Sequence, residues 1–127
     1  SVEKFLSGVE NDVRRADGFR ALEMFESVTG EEPVMWGPAI VGFGSCVIRY
    51  SDGRTLDWPA VGFSPRKGSM TLYVICGSAE QPAPLEKLGP HTSSVSCLYI
   101  KRLADVDEKV LRKVIKDAYQ YSKKKLR

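Results

Sequence analysis

Between residues 38 and 76 the chain cannot sustain a helix, and this limits its fold more than any other feature. Apolar runs there are short, and each stops at glycine, proline or an Asp-Gly pair. Residues 40–44, 46–50, 58–63 and 69–76 read as strands, because short apolar and β-branched runs bounded by turn residues suit a pleated chain. Ser51-Asp52-Gly53-Arg54 marks a hairpin, since Asp-Gly tolerates positive φ. Residues 64–68 form a second turn. Residues 94–100 make a last strand, with Cys97 and Tyr99 on one face and Leu98 and Ile100 on the other. Strands joined by turns this short pair antiparallel.

Helical periodicity flanks this centre. Val2, Phe5, Leu6 and Val9 recur at helical spacing and predict a short amphipathic helix. A second helix is expected over 12–28, with Val13, Ala16, Phe19, Leu22 and Phe25 on its buried face. Gly18 weakens it by about 1 kcal/mol relative to Ala. Thr29-Gly30 ends it, Gly30 taking the left-handed cap, and Pro33 prevents continuation. Residues 81–84 are a loop, 85–88 a helical turn and 89–93 another loop. Asp105-Val-Asp-Glu108 predicts a helix start, with an Asp cap and a Glu three residues on. Val110, Leu111, Val114, Ile115, Ala118 and Tyr119 then form an apolar stripe over 107–123. Helix, helix, strands, helix implies α+β: a two-layer sandwich, a mostly antiparallel sheet of about five strands with N- and C-terminal helices on one face. At 127 residues the chain makes one domain over 1–127.

Composition narrows the class. The hydrophobic share of 43% and charged share of 28% are those of a soluble globular domain. No run approaches the roughly 18 apolar residues of a membrane span, and no basic-then-apolar leader is visible, so export is not expected. Cys46, Cys76 and Cys97 are odd in number and lack C-x-x-C spacing. In apolar runs a thiol behaves as a small hydrophobe, which fits a reducing cytoplasm. The net charge of +3 hides a split: residues 1–32 balance to −4, 33–100 to +1 and 101–127 to +6. An acidic and a basic element either face each other or address different partners.

The densest chemistry lies at Ala60-Val-Gly-Phe-Ser-Pro-Arg-Lys-Gly68, where an apolar strand runs into a Ser-Pro turn with two adjacent cations. Residues 38–43 echo it, and Trp36 and Trp58 stand just before the two copies. Arg66 and Lys67 beside exposed turn amides suit a phosphate or carboxylate, with Trp36, Trp58, Phe63 and Ser64 as pocket walls. The plainer alternative is a strand-end turn bent by Pro65 whose cations are merely solvated, with both Trp residues in the core. His91 is the sole histidine and has no evident base partner, and Cys97 sits between apolar neighbours that suppress its thiolate. No nucleophile, base and orienting group are matched, so the chain does not read as an enzyme. Zinc spacing is missing. The basic C-terminal helix lacks interleaved aromatics, which argues against nucleic acid.

Four motifs carry a family resemblance: Met35-Trp-Gly-Pro-Ala-Ile-Val-Gly-Phe-Gly44, Val61-Gly-Phe-Ser-Pro-Arg-Lys67, Leu88-Gly and Cys97-Leu-Tyr-Ile-Lys-Arg-Leu-Ala-Asp-Val-Asp107. In this order they resemble the YdhG-like family, the domain-of-unknown-function group 1801, over essentially the whole chain. The loop Gly89-Pro-His-Thr-Ser-Ser94 departs from it, because family members often carry Lys-His-Lys/Arg-Thr-Gly-Lys there. The resemblance implies a compact α/β sandwich. Some relatives are described as frataxin-like iron chaperones. That would make Glu3, Glu10, Asp12, Asp17, Glu23 and Glu26 a weak, labile carboxylate surface for iron, handing metal to an accepting protein. Two expectations follow: a non-enzymatic cytoplasmic binding protein delivering iron, or a module for a small anionic ligand.

Overall fold

A computed structural model of the protein describes residues 1–49, 51–74, 89, 92–93 and 97–125, with backbone alone for 46–49, 93 and 121–125. Two helices open the chain, α1 (Val2–Ser7) and α2 (Asp12–Thr29). Six strands follow: β1 (Pro33–Trp36), β2 (Ile40–Phe43), β3 (Cys46–Arg49), β4 (Thr55–Trp58), β5 (Val61–Pro65) and β6 (Met70–Tyr73). After β7 (Thr92–Ser93) and β8 (Leu98–Ile100), a 3-10 turn (Leu103–Asp105) leads into α3 (Glu108–Lys125).

The main sheet runs β1-β2-β5-β6-β8-β7, every pair antiparallel, and β3 with β4 forms a separate hairpin. Helices from both ends of the chain pack against it, as an α+β sandwich requires. β7 is only two residues long, so five strands carry the sheet. Several boundaries differ from the sequence reading. The strands expected over 69–76 and 94–100 are Met70–Tyr73 and Leu98–Ile100, with 75–76 and 94–96 outside the described residues. Residues 33–36 are a strand rather than only a helix stop, and Thr92–Ser93 is a strand rather than loop. The expected strand over 58–63 is broken at Pro59-Ala60, where the hairpin ends and β5 begins. The helical turn expected at 85–88 lies outside the described residues.

Register assigns the two faces, because directly paired residues share a side and neighbours alternate. Met35, Val41, Phe63, Leu72 and Leu98 stand in one row across the sheet, on the helix side. The next row is Phe43 and Val61. Phe25 of α2 fills the angle between them, its ring centroid 5.3 Å from Phe43 and 5.4 Å from Phe63. Leu111, Val114, Ile115 and Ala118 of α3 complete this core, as the stripe predicts.

α2 is rotated relative to expectation. Val13 is 48% exposed and Phe19 36% exposed, and Ala16 is also at the surface. Phe25 is buried as expected and Leu22 packs on the core, and Gly18, Ala21 and Met24 join them in place of the three exposed positions. Gly18 lies on this inward face. A Cβ there would lie a tight 3.1 Å from Leu6 Cδ2, so glycine leaves room for α1 to close on the helix, while Pro65 at 3.9 Å is in ordinary contact. Its missing side chain costs helix propensity and gains packing. Gly30 takes the left-handed cap as expected, at φ 71°, and its N–H donates to the Glu26 carbonyl.

Candidate functional site

A cleft of about 880 Å³ opens where α1, the junction to α2 and the turn after β5 converge. Local rules place each wall. Pro65 ends β5, and the Arg66 N–H donates to the Ser69 carbonyl at 3.0 Å, which closes the turn before β6. Ser1 accepts from the Lys4 N–H and caps α1. Asn11 Oδ1 accepts from the Arg14 N–H at 2.9 Å and caps α2, a usual role for asparagine at a helix start. Arg15 fixes the segment between them: one Nη donates to the Val9 carbonyl at 2.8 Å, the other pairs with Asp12 at 2.5 Å.

Four cations line the cleft: Lys4, Arg14, Arg66 and Lys67. Among the described residues, none of the four has a carboxylate partner, whereas Arg15, Arg20, Arg54, Arg112 and Lys113 all do. Arg14 Nη1 donates to the Lys101 carbonyl at 2.9 Å, and its Nε is buried without a hydrogen-bond partner. Arg66 Nη2 donates to the Tyr73 hydroxyl at 3.0 Å. A phenol holds the guanidinium without cancelling its charge. Among the described residues Glu10 is the one acid on the lining, and Phe5, Val9 and Pro65 supply apolar surface.

Of the six residues expected to hold an anion, the structure brings Arg66 and Lys67 to this cleft. Phe63 is fully buried in the core between the sheet and α2. Ser64 points to the opposite face, across from Thr71, fully buried and with its Oγ unpartnered. Trp36 lies over Gly42 together with Pro59, on the face away from the helices. Trp58 meets Tyr73 edge-on at 6.4 Å. Neither tryptophan lines the cleft. Lys4 and Arg14 were not singled out by sequence because the segment around them is acidic on balance. The available signal was two cations bracketing Gly8 within that segment.

The six acids expected to face iron do not gather. Asp12 pairs with Arg15, and Glu23 lies 3.7 Å from Arg20. Asp17 accepts from the Leu103 N–H at 3.0 Å, tying α2 to the 3-10 turn. Glu10 is on the cleft, while Glu3 and Glu26 are exposed elsewhere. Among the described residues no group of three His, Cys, Asp or Glu is placed to hold a metal ion. Cys97 is buried, and His91 lies outside the described residues. No described helix is long and apolar enough to cross a membrane.

No family model, curated protein or solved structure matches the chain. The YdhG-like resemblance therefore stays with the four motifs that suggest it.

Proposed function

We propose that the protein is a non-enzymatic binding module that takes a small anionic ligand, a phosphate or carboxylate, in the cleft between the Arg66-Lys67 turn and the α1–α2 junction. One observation carries the reading: four cations with no ion-pair partner among the described residues surround a single concave surface that carries one acid, Glu10. Folding that gathers like charges without partners costs stability, and a bound anion offsets that cost through charge-assisted hydrogen bonds. The volume lies within the roughly 300–1,000 Å³ of ordinary ligand sites.

Thermal unfolding with inorganic phosphate and small carboxylates tests the reading, since a ligand held only by the folded state raises the melting temperature. Lys67→Ala, which alters an exposed side chain, is expected to reduce that rise. Glu10→Gln is expected to enlarge it at low ionic strength and to lose its advantage as salt screens the cleft. A rise that both variants leave untouched would move the anion elsewhere and end the proposal.

Iron delivery rests on the family resemblance. Its candidates are the six acids of α1, α2 and the segment between them, of which Glu3, Glu10, Asp17 and Glu26 have no ion-pair partner among the described residues. Amide shifts during ferrous titration, centred on α1 and α2, would support it; unmoved resonances at millimolar metal would remove it.

A further inference from the structure

Resting on the anion-binding reading, we infer that the cleft takes an amphipathic anion: one phosphate or carboxylate head on an apolar body. A bare oxyanion needs a tight nest of donors, and this cleft is far larger than such an ion at about 880 Å³. Its surface divides by chemistry. Phe5 and Val9 come from α1 and the segment after it, and Pro65 comes from the end of β5. These three present carbon to the space between the helices and the sheet. Lys4, Arg14, Arg66 and Lys67 present charge around it.

Lysine and arginine stems add to the apolar surface while their heads stay hydrated. Phe5 and Val9 are only partly buried, and Phe5 also packs on the core. An inorganic anion would leave that apolar surface wet, and a neutral apolar molecule would leave four cations unanswered. A ligand with both parts satisfies both. The helices supply one side of the cleft and the end of β5 with its turn the other.

The test compares inorganic phosphate, phenyl phosphate, octanoate, acetate and uncharged benzyl alcohol by calorimetry on the intact chain. Phenyl phosphate is expected to bind at least about tenfold tighter than inorganic phosphate, and octanoate at least about tenfold tighter than acetate, the scale of burying a few methylene equivalents. Val9→Ser should shrink both ratios toward one. Lys67→Ala should weaken every anion by a similar factor. Equal affinity for bare and amphipathic anions would overturn this inference and leave the anion reading standing. Binding of benzyl alcohol as tight as phenyl phosphate, or no anion binding at all, would overturn both. Circular dichroism of Val9→Ser confirms that a lost ratio is not lost folding. Should Val9→Ser unfold, Pro65→Ser is read the same way.

Discussion

Gly42 has no room for a methyl group. A Cβ there would fall 2.3 Å from Trp36 Cδ1 and 2.7 Å from Pro59 Cβ, so the indole lies directly over the strand. Trp36 thus seals the sheet against its own backbone, which is why an aromatic beside a glycine-rich strand need not wall a ligand site. Gly42→Ala is expected to destabilise the fold by about 1–3 kcal/mol, the usual cost of overpacking. Urea unfolding measures the loss, and a red shift of tryptophan emission in the folded state would report Trp36 leaving the strand. Gly18 is a milder case, since its nearest neighbour is the end of a flexible leucine. It matters because Leu6 of α1 takes the space next to it.

At the scale of elements, α3 is held at two points. Its start is capped by Asp107, whose Oδ1 accepts from the Lys109 and Val110 N–H groups at 2.9 and 3.3 Å. The sequence also offered Asp105 with Glu108 as a capping box, but residues 103–105 form a 3-10 turn, and Glu108 pairs with Arg20 and Arg112. Asp107→Ala is expected to cost about 0.5–2 kcal/mol, as loss of a cap does. Asp105→Ala should stay within about 0.5 kcal/mol, as at an ordinary surface position. Denaturant midpoints of the two variants decide between the caps.

Further along α3, the Tyr119 hydroxyl donates to Glu31 Oε2 at 2.6 Å and ties the helix to the loop after α2. Burial, followed by that bond and the charge of Glu31, pushes the Tyr119 pKa from 10.0 up to about 12. Below pH 10 both states keep the proton and the stabilisation is complete. As pH rises from 10 toward 12 the unfolded chain ionises first, so stability falls. Tyr119→Phe should lack this alkaline loss in melting curves recorded across that window, while starting from a lower stability at neutral pH.

Across the whole molecule, the N-terminal and C-terminal helices meet through Glu108, which bonds Arg20 of α2 and, at 3.1 Å, Arg112 of α3. The hydrogen bonds from Arg20 and then Arg112 hold its carboxyl below the ordinary value of 4.5. A depressed pKa contributes stability above the unfolded value and loses it as pH falls through the folded one. Glu108→Gln should therefore flatten the acid limb of the stability profile below about pH 4.5, the ordinary carboxylate range. A limb as steep in the variant as in the parent would assign acid sensitivity to other carboxylates.

What the sequence determined by itself was local. Spacing and turn chemistry within a few residues were enough to read the three described helices, the central strands, the Gly30 cap, the apolar stripe of α3 and the α+β order, though not the strands at Pro33–Trp36 and Thr92–Ser93. It also marked Arg66 and Lys67 as neighbours in a turn. Which face of α2 goes inward follows from packing, because it depends on how Met24 and Phe25 meet the sheet and how Leu6 fits beside Gly18. Only the tertiary structure set Lys4 and Arg14 beside a turn more than fifty residues away, and kept Trp36 and Trp58 out of the cleft. Local preferences act through neighbouring backbone, whereas a cleft exists only where distant elements fail to fill the space between them.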